Sequence, residues 1–341
     1  MTRITRIDLP FDAALAAARA LISEAEAVDG ASPVSDQALL AAAQHQRELL
    51  VFGICGGEAH SVENLTVDTP SLVAADQDHS HVPVAVGIVG QGELDLVVSP
   101  GARGRGIGTA ALHSLLTTEA AAASSGGDPD QILAWAHGEN PAANALLQHA
   151  GFTPVRSLYR MSLDPALLPA DGRDPLTLPT PQGFALRAFT PADSAGWVRA
   201  NAAAFASHPE QGRITEADFA LMREAAWFDP DDLILLTGAR DEVIGSTWIK
   251  TVRESVNSPV ETELYAVGVH PDFAGRGLGR LLLSVTLARM AQHDPAQVTL
   301  YVDGENTRAV QMYEAAGFTI DSRSRQWAGT PVSVANARMD A

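Results

Sequence analysis

Short apolar runs alternate along the chain with longer stretches in which apolar residues recur every three or four positions. The first pattern is typical of buried strands and the second of amphipathic helices. Predicted strands occupy residues 49–55, 82–89, 94–98, 132–136, 184–189, 233–238, 243–251, a run ending at Val269, 298–302 and a closing segment near 320–327. Predicted helices occupy residues 11–27, 37–47, 109–123, 141–150, 190–204, 215–224, 280–290 and a short segment after Asn306.

This alternation predicts an α/β (α+β) fold. A chain of 341 residues suits two domains of roughly 150 residues each. Residues 162–183 contain five prolines and little apolar periodicity, which is typical of a semi-rigid linker. We therefore expect an N-terminal domain over 1–161 and a C-terminal domain over 184–341.

A glycine-rich turn follows the run that ends at Val269. Gly275, Gly277 and Gly279 lie between that strand and a long apolar helix. Such a turn points several backbone N–H groups at one spot, and the helix N-terminus adds partial positive charge, so the segment predicts an anion site. It is not a dinucleotide fingerprint, because Arg280 stands where the third glycine would be, and no GxxxxGK[ST] motif occurs.

The same block occurs earlier in the chain. Residues 96–109 parallel 267–280, and Gly138-Glu139-Asn140 up to Gly151-Phe152 parallels residues 304–318. The copies lie about 170 residues apart, which is too long for a solenoid repeat. The duplication predicts two domains of one fold.

Both glycine turns resemble the pyrophosphate loop [Q/R]-x-x-G-x-[G/A] of the GNAT acetyltransferases. Arg103 keeps the first position of that pattern, whereas Ala274 replaces it in the second copy. The resemblance implies two tandem GNAT domains, each a mixed, mostly antiparallel sheet flanked by helices, in which strands splay beside the turn. It also implies acetyl-CoA as co-substrate. The residues implied to bind it are Leu96, Val97, Val98, Gly104, Arg105, Gly106, Ile107, Gly108 and Thr109 in the first copy, and Val267, Gly268, Val269, Ala274, Gly275, Arg276, Gly277, Leu278, Gly279, Arg280, Asn306, Thr307, Arg308, Ala309, Val310 and Gln311 in the second.

Acyl transfer to an amine needs groups that handle protons. Glu263 opens the strand before the second turn and could accept the amine proton, and Tyr313 stands where GNAT enzymes commonly place an acid near the coenzyme sulfur. Counting back from the first turn puts Gly92 in place of Glu263, with Glu93 one residue off and therefore facing the other side of the sheet. Leu147 replaces Tyr313. We expect the N-terminal copy to bind coenzyme without turnover.

The whole chain also resembles actinobacterial tandem GNAT enzymes that acetylate the cysteinyl amine of cysteinyl-glucosaminyl-inositol, the last step of mycothiol biosynthesis. Four segments carry this resemblance: residues 27–30 with Pro33, residues 208–212, residues 227–230, and residues 300–302 with Asn306. It implies substrate contacts at Asp36, Glu210, Lys250, Glu263 and Tyr301. Carboxylates and a phenol suit a polyol that carries an ammonium. Two alternatives remain: a GNAT enzyme for an aminoglycoside or a protein N-terminus, and a non-catalytic acyl-CoA-binding module.

Composition and net charge limit the kinds of partner that we expect the chain to bind. The net charge of −18 disfavours nucleic acid and anionic membranes. Cys55 is the one cysteine, so no intramolecular disulfide and no cysteine cluster for a metal can form, and we expect this residue in a buried strand. The chain shows neither an apolar run long enough to span a membrane nor a signal-peptide pattern. We expect a cytoplasmic protein, a monomer, that binds a small-molecule substrate and no metal.

Overall fold

The computed structural model describes residues 4–54, 82–118, 131–206, 211–253 and 258–330. The chain divides into two compact units. Unit 1 comprises Met1–Ser157 and Arg323–Ala341, and unit 2 comprises Leu158–Ser322. Cys55, predicted in a strand, lies outside the described residues, as does the end of the predicted 109–123 helix.

Unit 1 is a mixed sheet with helices on both faces. Its strands are β1 (Ile4–Ile7), β2 (Glu48–Ile54), β3 (Pro83–Gly90), β4 (Glu93–Val98) and β5 (Ile132–Ala136), and its helices are α1 (Phe11–Asp29), α2 (Asp36–Ala43), α3 (Ile107–Leu116) and α4 (Pro141–His149). The strands lie in chain order, antiparallel except for the parallel β4–β5 pair. The C-terminal part of β12 (Thr319–Gly329) then pairs with β5.

Unit 2 repeats this plan. Its strands are the C-terminal part of β6 (Thr153–Leu163), β7 (Ala185–Ala188), β8 (Leu233–Thr237), β9 (Val243–Val252), β10 (Glu261–Val269) and β11 (Gln297–Asp303), and its helices are α5 (Ser194–Ala204), α6 (Glu216–Met222), α7 (Leu278–Gln292) and α8 (Thr307–Ala315). Strands β7 to β10 pair antiparallel in sequence order, β10 and β11 are parallel, and β6 closes the sheet against β11. The predicted fold class is therefore confirmed.

Each sheet buries apolar side chains on both faces. In unit 1, Ala18 and Leu21 of α1 pack on one face, and Leu112 and Leu115 of α3 pack on the other. In unit 2, Trp197 of α5 and Phe219 of α6 occupy one face, while α7 and α8 cover the opposite one.

Two strands were not predicted from the pattern. The four-residue β1 is one, and β6 is the other. Strand β6 runs through position 161 and ends inside the predicted linker, and its residues from Leu158 onward belong to unit 2. The end of the chain from Arg323 belongs in turn to unit 1. The units thus differ from the predicted domains 1–161 and 184–341, because each sheet takes its last strand from the other half of the chain.

No helix within the described residues combines the length and the apolar character needed to cross a membrane.

Candidate active site

The second glycine turn forms the N-terminus of α7. Gly275 and Gly277 both adopt a backbone φ of 78°, in the left-handed region that favours glycine. Gly277 precedes the helix and supplies no side chain to cap it. A Cβ added at either glycine would meet nothing within 4 Å, so the space in front of the helix is open. The open turn and the uncapped N–H groups suit an anion such as a pyrophosphate.

The first turn has the same geometry. Gly104 and Gly106 have φ of 75° and 80°, and Gly106 precedes α3. Ile107 and Leu278, which open the two helices, are buried, so only their backbones face the turn. Arg105, Arg276 and Arg280 are exposed around the two turns.

Arg103 of the first turn is engaged within the protein. Its guanidinium donates to both carboxylate oxygens of Asp29 at 2.7 and 2.8 Å, and to the Val98 carbonyl oxygen at 3.2 Å. This ion pair joins the end of α1 to the turn and raises the pKa of Arg103. Ala274, at the equivalent place in unit 2, cannot form such a pair.

Both sheets split beside the glycine turn. In the described register β10 pairs with β11 only as far as Leu264, although it pairs with β9 as far as Val269. In unit 1, β4 pairs with β5 only at Glu93 and Leu94 and with β3 as far as Val98. The backbone of residues 267–269 therefore borders a cleft between diverging strands, the arrangement that the resemblance implies.

Gly268, one of the residues that the resemblance implies to bind coenzyme, is also needed for packing within unit 2. A Cβ added at Gly268 would lie 2.9 Å from the Ala204 Cβ and 2.9 Å from the Phe205 ring. The missing side chain thus lets the end of α5 pack against β10.

Glu263 lies on β10, between β9 and β11 of the unit 2 sheet. It pairs with Lys250 on β9 and with Thr299 on β11. Its neighbour Leu264 points into the opposite, apolar face. Burial raises the pKa of the Glu263 carboxyl, while the positive charges of Lys250 and Arg160 act in the other direction. A carboxylate with a raised pKa is a stronger base than a solvated one.

Tyr301 and Lys250 complete this face. Tyr301 is 50% exposed and pairs with Arg160 on β6. Burial of its phenol raises the pKa of Tyr301, and Arg160 opposes the shift. The Lys250 ammonium lies 5.6 Å from the centre of the Trp227 ring. Three of the five predicted substrate residues therefore share one surface. We define Lys250, Glu263, Tyr301 and Arg160 as the polar face.

The remaining two predicted substrate residues are not placed on this face. Asp36 begins α2 in unit 1, and its side chain is not described. Glu210 lies outside the described residues.

Tyr313 lies on α8, in the core on the opposite side of the unit 2 sheet. It is 5% exposed, and its ring centre is 5.9 Å from that of Phe318. Leu264 and Val267 belong to the same cluster. Burial raises the pKa of the Tyr313 phenol, which keeps it protonated near neutral pH. Leu147 of α4 occupies the corresponding core position in unit 1.

The start of α8 carries the other predicted coenzyme residues. The Asn306 side chain accepts a hydrogen bond from the Ala309 N–H at 3.1 Å and so caps the helix. Val310 is buried, whereas Thr307, Arg308 and Gln311 are exposed. The exposed side chains are the ones able to contact a ligand here.

The register corrects the comparison between the two copies. Glu263 pairs with Thr299, and Glu93 pairs with Leu133, which is the counterpart of Thr299 in the duplicated Gly-Glu-Asn frame. A register shift between Leu264 and Ala266 accounts for the extra residue in unit 2. Glu93 therefore takes the place of Glu263, and the sequence-based assignment of Gly92 to that place is wrong. A count along the chain cannot detect a bulge.

The Glu93 carboxylate is paired with an arginine side chain of unit 1. It forms an ion pair with Arg47, which also donates to the Asp95 carboxylate at 3.4 Å. Burial raises the pKa of Asp95 to about 7, with Arg47 opposing the shift and Glu93 adding to it. The N-terminal copy thus retains a carboxylate on the corresponding strand position but pairs it with arginine.

Sequence interpretation missed Arg160 and Asp321. Arg160 lies on β6, which the pattern did not predict, and it forms an ion pair with Asp321. The signal that could have found the strand is the alternation of Tyr159, Met161 and Leu163 with polar residues.

Comparisons with known proteins agree with this architecture. The model of the acetyltransferase (GNAT) family matches residues 72–152 and 199–318, one match in each half of the chain. A mycothiol acetyltransferase of Nocardia farcinica is 38% identical over 89% of this chain and 89% of its own. One of Frankia alni is 36% identical over 91% of this chain and 90% of its own.

A solved structure shows the same fold. A tandem GNAT protein from the clavulanic acid biosynthesis pathway aligns with a TM-score of 0.62 and 16% identity, covering 97% of this chain and 99% of that one. The predicted duplication is confirmed by the two family matches. The chain is an acyltransferase that belongs to the acetyltransferase (GNAT) family and, within it, to the family of the mycothiol acetyltransferases.

Proposed function

We propose that this chain uses acetyl-CoA to acetylate the cysteinyl amine of cysteinyl-glucosaminyl-inositol, the last step of mycothiol biosynthesis. The observation that carries the proposal is the half-buried Glu263, which faces Lys250 and lies near Tyr301 beside the split between β10 and β11. The similarity to mycothiol acetyltransferases over about nine-tenths of the chain supports the acceptor.

The residues fit acetyl-CoA as co-substrate. The Gly275–Gly277 turn and the N-terminus of α7 would hold its pyrophosphate, because the turn is open and its N–H groups are uncapped. The unpaired edge of residues 267–269 would bind the pantetheine and the acetyl carbonyl oxygen through backbone N–H groups. When bound, acetyl-CoA supplies the activated acyl group.

Two side chains would handle the protons. Glu263 accepts the proton of the acceptor ammonium, directly or through a water, and frees the amine for attack on the carbonyl carbon. As the new C–N bond forms and the C–S bond breaks, Tyr313 would donate its phenolic proton to the departing sulfur, and the second proton lost by the attacking nitrogen would restore the phenol. The two residues approach the split from opposite faces of the sheet. Direct attack in a ternary complex needs no covalent enzyme intermediate.

The other groups of the polar face would select the acceptor. Lys250 and Tyr301 offer donors to a polyhydroxylated ligand, and Glu263 balances an ammonium. Asp36 and Glu210 complete the proposed substrate residues. The substrate is a small molecule, and we propose that the enzyme acts as a cytoplasmic monomer.

We also propose that unit 1 binds acetyl-CoA without turning it over. Its glycine turn and split sheet match those of unit 2. Glu93 is paired with Arg47, and Leu147 cannot donate a proton. Calorimetric titration should give two coenzyme sites per chain. One site, lost when Gly277 is replaced, would contradict a site in unit 1.

The proposed acceptor is tested by a substrate panel. Acetyl-CoA consumption is measured with cysteinyl-glucosaminyl-inositol, with aminoglycosides and with peptides that carry a free N-terminus. The first should be acetylated with the highest kcat/KM, and the product should be an amide of the cysteinyl nitrogen. Preference for either other class would identify a different GNAT acceptor. Coenzyme binding without turnover of any acceptor would indicate a binding module.

A further inference from the structure

We propose that Arg160 is a positioning residue of the acetyl-acceptor site, where it orients the Tyr301 hydroxyl from the neighbouring strand. This inference deepens the proposed function and rests on it for the identity of the acceptor. Arg160 lies outside the glycine turns and outside the repeated segments that run from Gly-Glu-Asn to Gly-Phe. It lies on β6, the strand that the sequence pattern did not predict.

The backbone places Arg160 beside Tyr301. The two residues are antiparallel partners on β6 and β11. Met161, the next residue, is fully buried in the core with Tyr313, so Arg160 points to the opposite face. The Arg160 side chain is 29% exposed, and it is held by an ion pair with Asp321. The strand pairing and the ion pair with Asp321 therefore both hold Arg160 in place.

The guanidinium contacts two different groups. One contact is the Asp321 carboxylate, and the other is a hydrogen bond with the Tyr301 side chain. Arginine suits this task because its planar fork presents several N–H donors at fixed angles, which an ammonium cannot do. Since arginine can only donate, the Tyr301 oxygen accepts, and its own proton is directed elsewhere. That proton is available to a hydroxyl group of a ligand on the half-exposed side of Tyr301.

Arg160 also contributes to the charge around Glu263. Within the described part of unit 2, the charged and titratable groups that face Glu263 are Lys250 from β9, Arg160 from β6 and Tyr301 from β11, with Asp321 of β12 behind Arg160. Two cations thus flank the carboxylate and keep it ionised to lower pH than burial alone would allow. Asp321 offsets part of the Arg160 charge, so the face can still accept an ammonium.

The kinetic test uses Arg160→Gln and Arg160→Lys in the full-length enzyme. With Gln, the KM for the acceptor should rise about 10-fold, because a hydrogen bond from a charged donor is lost. The acidic limb of kcat/KM should also move to higher pH, because a cation beside Glu263 is removed. With Lys, the acidic limb should return toward the wild-type position, whereas the KM should stay raised.

The matched control is Arg173→Gln, which removes an exposed arginine that pairs with Asp171 at 3.0 Å. It should leave the KM for the acceptor and the acidic limb of kcat/KM unchanged. Values of KM and acidic limb for Arg160→Gln that equal those of the wild type would overturn the inference.

A second measurement needs no acceptor. The chain has four tyrosines, so protein labelled with 3-fluorotyrosine gives four fluorine resonances, and Tyr301→Phe identifies one of them. Arg160→Gln should shift the Tyr301 resonance and leave those of Tyr265 and Tyr313 in place. An unmoved resonance would show that the contact does not exist. If the wild type fails to acetylate the cysteinyl acceptor, the proposed function fails, and this spectrum still decides the role of Arg160.

Discussion

Glu263 experiences opposed electrostatic effects. Burial in the sheet favours the neutral acid, whereas Lys250 and Arg160 favour the carboxylate, and burial prevails because the pKa is raised. The carboxyl therefore holds a proton more strongly than that of an exposed glutamate does. This balance suits a base that must take a proton from an ammonium and then release it to water.

Replacing Glu263 with Gln should lower kcat/KM by about 100-fold or more, since general base catalysis commonly contributes that much. Coenzyme affinity should not change. Glu261→Gln, an exposed glutamate at the start of the same strand, is the control and should retain activity. In the wild type, kcat/KM should rise with pH through an acidic limb that lies above the pKa of a free Glu. A loss smaller than about tenfold would exclude Glu263 as the base.

Asp232 illustrates a second electrostatic balance, away from the polar face. This fully buried carboxylate accepts hydrogen bonds from Arg289 Nε and from His293 Nε2, each at 2.7 Å. Burial alone would raise its pKa, but His293 and Arg289 outweigh burial and hold the pKa of Asp232 below its usual value. The network ties the C-terminal end of α7 to the start of β8.

Asp232→Asn should destabilise unit 2 by roughly 3 kcal/mol, because it removes the carboxylate shared by Arg289 and His293 and leaves Arg289 only the longer 3.8 Å pair with Asp229. The exposed neighbour Asp231→Asn should have little effect. The stabilisation from a depressed carboxyl pKa is present above the unfolded-state pKa and is lost as the pH falls through the folded-state pKa. The difference in melting temperature between wild type and Asp232→Asn should therefore shrink on acidification. A difference that grows toward low pH would contradict this account.

At the scale of single elements, the glycine turn before α7 illustrates how backbone conformation and binding are linked. Position 277 favours glycine because its backbone φ is positive. Crowding is not the reason, since nothing lies within 4 Å of an added Cβ. A side chain there would enter the open space in which the anion is proposed to bind.

Gly277→Ala should weaken acetyl-CoA binding to unit 2 about 10-fold and lower stability by about 1 kcal/mol. Gly172→Ala is the matched control: it also has positive φ, at 63°, and open space around its Cβ, but it lies in the Pro-rich segment. It should show the stability loss without the change in affinity, both measured by calorimetry. Equal affinity of the two variants would contradict an anion site at this turn.

Most elements were predictable because their hydrophobic periods are clear. The strand at 132–136 and the helix at 141–149 fall within one residue of the predicted bounds, and Asn140 caps the helix as expected. Strand β6 was missed because its first three residues, Thr153, Pro154 and Val155, are exposed and the strand runs into the proline-rich segment.

The site residues were predictable only in part. Glu263, Lys250 and Tyr301 were identified from the resemblance, but Arg160 requires the pairing of two strands that lie far apart in the chain. The equivalence of Glu93 and Glu263 depends on the register shift after Leu264, which leaves no mark in the residue pattern.

At the scale of the whole chain, the exchange of terminal strands decides which fragments can fold. Unit 1 takes part of β12 as the edge partner of β5, and Trp327 fills its core while its indole N–H donates to Asn144 Oδ1 at 3.0 Å. A fragment that stops at 161 lacks these groups.

Truncation after Ser322 should therefore destabilise unit 1 by about 3 kcal/mol or more, because a buried tryptophan and a strand ladder are lost together. Truncation after Thr330 keeps β12 complete and provides the control. Hydrogen exchange should show lost protection in β4 and β5 for the shorter chain and native protection for the longer one. Full protection in both would show that β12 is dispensable for unit 1.

The exchanged strands also affect how the protein is made. Residues 323–329 are translated after all the other described strands, yet they complete the sheet that the first half of the polypeptide begins. A nascent chain on the ribosome therefore carries an unpaired β5 edge and an incompletely covered core throughout most of synthesis, which is a state open to aggregation. Either that edge is protected or collapse waits until residues 323–329 have emerged, and this follows from the late position of a single β-strand in the chain.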